Sequence, residues 1–282
     1  MILEAILLHS DALKRTRLVF ILHLLLFLLL LSAHGQEAYR HIDNKAFDAG
    51  ERLKWRIFYD SWLVDMVAGY GEVEVKNSHI PINARKVYHI DARGYSAGLF
   101  NIFFKVRDKF DSYIDKEFIA PHYFVRRTRE GGYKKNDEYH FNQLDNYVMS
   151  RTDTVDTPPY IHDFISAIYY TRTFESDTFK VGDRIPFTFF LDDSVYVSSM
   201  LFEGREIIEI KLGTFRCLRL KPGMATGDIF SKKFPMTVWV TDDENHIPVY
   251  AESAVVVGNV QMELVEYSGL KNPLRSKIEQ HE

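Results

Sequence analysis

Arg52-Leu53-Lys54-Trp55-Arg56-Ile57-Phe58-Tyr59 decides the fold class. Leu53, Trp55, Ile57 and Tyr59 alternate with Arg52, Lys54 and Arg56, the period of two that sends one row of side chains into a core and the next into water. The same alternation returns at 71–76, where Val73 and Val75 are set against Glu72 and Glu74, and more loosely at 86–95. Runs at 106–115, 120–129, 133–141 and 147–153 follow, punctuated by Glu130-Gly131-Gly132 and Gln143-Leu144-Asp145-Asn146, which read as hairpin turns. Further strands are expected at 184–192, 195–202, 205–212, 214–221, 236–241, 246–257 and 259–267. Lys211-Leu212-Gly213-Thr214 and Asp242-Asp243-Glu244-Asn245 supply turns between the later pairs.

Two segments depart from this rhythm. The apolar patch at 99–104 follows Ser96-Ala97-Gly98 and is expected to form one helical turn plugging the sheet. At 163–173, Ile165, Ile168, Tyr169 and Arg172 recur at spacings of three and four behind Pro158, Pro159 and an acidic cap, which predicts a helix. The sum is a mainly β chain: an antiparallel meander of about a dozen strands, curled into a barrel or half-barrel and covered by one or two short helices. No helix of the kind a parallel sheet requires recurs between successive strands, so doubly wound and α/β-barrel folds do not fit.

The first 35 residues read as an address. Lys14, Arg15 and Arg17 precede an apolar run at 18–31, and Ala33 and Gly35 stand at the -3 and -1 positions of a cleavage site before Gln36. This is the pattern of a secretory signal peptide, and the run is shorter than the roughly 20 residues that span a bilayer. The expected organisation is therefore a signal peptide at 1–35, one β-rich domain at 36–270 and a polar, fraying tail at 271–282, exported to the periplasm or envelope of a bacterium. Removing 1–35 leaves 32 basic against 37 acidic residues, a net charge of -5 over 247 residues. No field of that sign holds a polyanion, so nucleic acid is not expected as a partner. Cys217 is the only cysteine, which excludes an intramolecular disulfide and a thiolate metal cluster.

Signals for chemistry are thin. His162, Asp163 and Ser166 invite a nucleophile reading, although Asp163 as a helix cap and Ser166 as a small packing residue explain them more simply. Asp163 and Arg172 place opposite charges at the two ends of one short apolar helix and need partners if buried. Asp242, Asp243, Glu244 and His246 lack the spacing of a calcium loop or zinc site and read as a wet turn, so no metal is expected. Arg126, Arg127 and Arg129, with Lys134 and Lys135, surround the Gly131 turn and offer a basic surface to a partner. Trp239 and Phe234, near Met224 and Met236, are candidates to line an apolar pocket, with core packing as the plain alternative. No H-E-x-x-H, C-x-x-C, phosphate loop or dinucleotide fingerprint occurs, and no cofactor is expected.

Several ordered pieces carry a family resemblance: Phe47-Asp48-Ala49-Gly50-Glu51-Arg52-Leu53, Gly69-Tyr70-Gly71-Glu72-Val73, Tyr113-Ile114-Asp115 with Pro121, the run from Asp163 to Arg172, and Trp239-Val240-Thr241-Asp242-Asp243 with Ile247-Pro248-Val249. Over about 47–267 the chain resembles the exported bacterial family called domain of unknown function 3108. That resemblance implies an envelope location, a β-rich domain and interest in Asp163, Ser166, Tyr169 and Arg172. A looser likeness, resting on architecture and one hairpin, is to lipoprotein carriers of the LolA and LolB kind, which hold acyl chains in half-barrels. The leading expectation is a monomeric, non-catalytic carrier or binding domain for a lipid or other amphipathic envelope ligand, or for an outer-membrane protein partner, with Tyr169, Trp239 and Phe234 at the ligand. The alternatives are a hydrolase or lyase acting on an envelope polymer, and a structural adaptor docking through the basic hairpin.

Overall fold

The computed structural model describes residues 39–61, 64–223, 236–254 and 259–279. Among them, fifteen strands join one antiparallel sheet. β1 (Arg52–Ser61), β2 (Val64–Asn77), β3 (Val87–Ser96), β4 (Arg107–Asp115), β5 (Pro121–Glu130), β6 (Tyr133–Asn142), β7 (Tyr147–Met149) and β8 (Thr154–Asp156) meander to one edge. From the other edge, β9 (Arg184–Leu191), β10 (Ser194–Ile210), β11 (Gly213–Pro222), β12 (Met236–Thr241), β13 (Pro248–Ala254) and β14 (Asn259–Ser268) form a second meander, and β14 pairs with β1 to fuse the two. Helix α1 (Phe100–Phe103) lies between β3 and β4, and α2 (Phe164–Thr171) follows β8.

The sheet curls without closing. Register shifts at Lys54/Trp55, Ile57/Phe58, Tyr113/Ile114, Phe202/Gly204 and Trp239/Val240 each add a local bend and twist. Gly69 lies opposite Ile57 at one of these bulges, where a Cβ would stand 2.1 Å from the Tyr95 carbonyl oxygen. The two edges are joined by a short graft rather than a ladder. His162 N–H donates to the Thr188 carbonyl at 3.1 Å, and Phe190 N–H donates to the His162 carbonyl at 2.7 Å. On the inside, Phe190 packs edge-on against Tyr139 and Phe141 of β6, with centroids 5.1 and 6.4 Å apart. Asp192, in the β9–β10 turn, accepts from Arg126 and Lys135 across the gap.

Asp115 fixes the β4–β5 corner. Its Oδ1 accepts from the Glu117 and Phe118 backbone N–H groups at 2.8 and 3.3 Å, and its Oδ2 pairs with Arg85 and with His122 Nε2. Burial works against the carboxylate, but the His122 and Arg85 contacts outweigh it and hold the pKa down at about 2.

Four expectations need correction. The strands expected at 195–202 and 205–212 are one strand, β10, because Gly204 adopts φ 137° and forms a bulge instead of a turn. The strand expected at 147–153 stops at Met149, and β8 follows. Residues 99–104 do contain a helical turn, but Leu99, Ile102 and Phe103 face solvent and plug nothing. The tail from 271 does not fray over its described part: β15 (Lys277–Ile278) pairs with β11, Ser276 is buried, and Leu274 packs against the cluster of Phe215, Cys217, Trp239 and Val249.

Candidate functional site

Helix α2 divides the interior. It starts at Asp163 because the carboxylate caps it: Oδ1 accepts the Ser166 backbone N–H at 2.8 Å. Asp163 Oδ2 also accepts the Ser112 hydroxyl at 2.7 Å, which ties the cap to β4. One face, with Ile165 and Tyr169, packs into the main core among Phe47, Ile90, Phe124 and Phe190. The other face, with Phe164 and Ile168, is apolar too, yet no side chain covers it fully: Ile168 is 47% exposed. It looks into a cavity of about 990 Å³ walled by α2, by the inner faces of β9 to β14 and by residues of β1, β4, β5 and β6. Phe187, Phe189, Leu218, Leu220 and Val240 provide much of the opposite wall, and Phe110 of β4 packs edge-on against Phe164 with centroids 4.9 Å apart. That volume lies at the upper end of the range of small-molecule pockets, which are commonly apolar with a few polar groups.

At one end the cavity is bounded by a buried polar cluster. Arg172 Nη1 and Nη2 donate to Glu51 Oε1 and Oε2, both at 2.7 Å, while Nε and Nη2 donate to the Asn245 carbonyl at 3.1 and 3.0 Å. Tyr169 donates its hydroxyl to Glu51 Oε1 at 3.2 Å. Burial opposes the Arg172 charge, but Glu51 more than offsets it and raises the pKa; burial and Glu51 together push the Tyr169 phenol well above its ordinary value. His246 Nδ1 donates to the Arg172 carbonyl at 2.8 Å, which leaves Nε2 to accept the Ser176 hydroxyl at 3.0 Å. Burial lowers the His246 pKa, so this imidazole is neutral at pH 7. Arg172, Ser176 and His246 all contribute to the cavity wall.

Asp163, Ser166 and Arg172 do not form one site. Ser166 donates its hydroxyl to the Asp163 carbonyl at 3.0 Å inside the cap, whereas Arg172 belongs to Glu51 a turn and a half away. Burial raises the Asp163 pKa to about 6 against the opposing hydrogen bonds from Ser112 and Ser166. His162 stacks on Tyr170 with centroids 4.6 Å apart. Two ligand-lining expectations are corrected. Tyr169 points into the packed core, and Trp239 lies on the sheet face opposite Val238 and Val240, with its indole N–H on Glu206 at 2.7 Å. Phe234 and Met224 lie outside the described residues.

The basic hairpin is largely paired. Arg126 meets Asp137 at 2.6 Å as well as Asp192 and lines the cavity, Arg127 stands 3.6 Å from Asp111, and Arg129 is exposed. In the acidic turn, Asp243 accepts from Thr241, Asn245 and Ser276, and Asp242 and Glu244 pair with Arg205 and Arg275. Cys217 is buried, and burial pushes its thiol up to about 12, which makes it inert. Glu51, Asn245 and Ser176 are the site residues that sequence reasoning missed.

An open, barrel-like antiparallel sheet with a helix inside it defines the class. Over residues 53–265 the chain matches the family described as Protein of unknown function (DUF3108), and it belongs to that family. Among solved structures it is similar to a beta-barrel-like protein of Domain of Unknown Function DUF1849 from Brucella abortus. The TM-score is 0.54 at 11% identity, over 82% of this chain and 99% of that one, a likeness of fold. No curated protein matches.

Proposed function

We propose that the protein is an envelope binding domain that holds an apolar or amphipathic ligand in the cavity behind α2 and does no chemistry on it. The carrying observation is a helix apolar on both faces, packed on one and left open to a cavity on the other. A helix that is apolar all round normally buries both faces. The cavity opens to solvent beside Tyr133, so molecules can enter it, and its size and largely apolar walls are those of small-molecule pockets. Such a space is therefore filled by water or ligand, and apolar walls favour ligand. The signal-peptide pattern at 1–35 and the single cysteine support the envelope address. A fluorescent fatty-acid probe tests the binding reading: saturable uptake by the protein, abolished by Ile168→Arg, agrees with it, and no uptake rejects it.

A hydrolase is the second reading, favoured by one observation. A neutral His246, oriented through Nδ1, accepts the Ser176 hydroxyl at the cavity wall, the relationship a general base has to a nucleophile. Turnover of a p-nitrophenyl acyl ester that disappears with Ser176→Ala supports this reading, and no turnover by the unaltered protein removes it.

A further inference from the structure

Ile102 and Phe103 of α1 are 73% and 82% exposed, and Leu99 beside them is 64% exposed. Single apolar residues on a surface need no explanation, but a knuckle in which three of five consecutive residues are apolar and open to solvent does. Its position adds to its meaning. Phe104 packs beneath Gly131 in the β5–β6 turn, where a Cβ would stand 2.9 Å from its ring, and Gly131 N–H donates to the Lys105 carbonyl at 2.8 Å. Tyr133, just past that turn, is 55% exposed and also lines the cavity, so the cavity reaches the surface beside the knuckle.

The collar of the knuckle is basic. Lys105, Arg107, Arg129 and Lys134 are all exposed around it. The nearby acids, Asp108 and Glu130, are half-buried and hydrogen-bonded to each other, and burial raises both of their pKa values. Apolar tips ringed by exposed cations match the boundary of an anionic bilayer, where acyl chains lie just beneath phosphates.

We infer that α1 and the β5–β6 turn dock the protein on an anionic phospholipid bilayer, with Ile102 and Phe103 entering the acyl boundary and the cavity rim at Tyr133 turned to the lipid. The purpose of the contact, exchange of an amphipathic ligand with the cavity, rests on the binding reading above. The contact itself rests on the rim.

The test uses the full chain with Phe103→Trp, mixed with phosphatidylcholine vesicles with or without phosphatidylglycerol and carrying brominated acyl chains. Val181→Trp, at a position 74% exposed before β9, is the control and reports attachment through any other segment. Indole 103 is expected to shift to the blue and be quenched on anionic vesicles, with little effect at 181. Replacing Lys105 and Arg129 by Gln in the Phe103→Trp chain should weaken vesicle binding by about fivefold for each charge. No quenching at 103, or equal quenching at 103 and 181, overturns the inference; equal quenching on neutral vesicles overturns its electrostatic part. Ile168→Arg separates the two readings, because it is expected to remove probe uptake while quenching at 103 persists.

Discussion

Glu51 and Arg172 stand 121 residues apart in the chain and meet as a buried two-pronged ion pair, with both nitrogen–oxygen contacts at 2.7 Å. The pair joins the start of β1 to the end of α2, and Arg172 carries the link on to the β12–β13 turn through the Asn245 carbonyl. The helix that forms one wall of the cavity is thus fixed at its C-terminal end by charge and at its N-terminal end by the Asp163 cap. Neither device fills the space between them.

Breaking the pair leaves a buried charge without its partner. Arg172→Met or Glu51→Leu alone should cost about 3–5 kcal/mol, and the two together should cost less than the single changes summed. Urea unfolding midpoints of the single and double variants check this; additive losses contradict it.

Asp163 gives a pH signature. Its folded pKa of about 6 lies above the ordinary 3.8, so the native state holds this proton more tightly than the unfolded chain does. That preference stabilises fully below about pH 4 and is lost as the pH rises through 6, a swing of roughly 3 kcal/mol. Asp163→Asn keeps the cap, since Asn caps as well as Asp. Its stability relative to the unaltered protein should therefore rise between pH 4 and 7, and a constant difference across that range refutes the assignment.

Asp115 has the opposite sign. Its folded pKa of about 2 lies below 3.8, so its contribution is present above about pH 4 and is lost as the pH falls through 2. Asp115→Asn should remove roughly 2 kcal/mol at pH 7 and flatten the acid limb of the stability curve. Thermal unfolding from pH 2 to 7 reads both effects.

Substitutions at Trp239 and Ile168 are expected to differ in their effect on probe uptake. Trp239→Phe removes the hydrogen bond to Glu206 and costs about 1 kcal/mol of stability, but leaves uptake of the fatty-acid probe unchanged. Ile168→Trp fills cavity space at little cost in stability and should reduce uptake at least tenfold. Equal effects of the two substitutions on uptake contradict the placement of the site.

The sequence made the strands and α2 legible because alternation and an acidic cap are local signals. It did not show which face of α2 meets the cavity: Ile165, Ile168 and Tyr169 are all apolar, and helical spacing alone cannot order two apolar faces. Trp239 falls outside the cavity for a related reason. Period two separates Trp239 from Val238 and Val240, but the tail around Leu274 covers the outer face, so both rows are buried. Glu51 stands in the first motif of the family resemblance, but nothing local to it announces a partner 121 residues away. The gap expected between 202 and 205 is a bulge at Gly204, a residue type that serves bulges and turns alike.

Native mass spectrometry of the protein, expressed with its full leader in a bacterium and recovered without detergent, bears on cavity binding itself. A reproducible lipid-sized adduct, extractable into organic solvent and absent from Ile168→Arg, is the expected result. A clean ligand-free mass for the unaltered protein, or the same adduct on both proteins, contradicts binding behind α2.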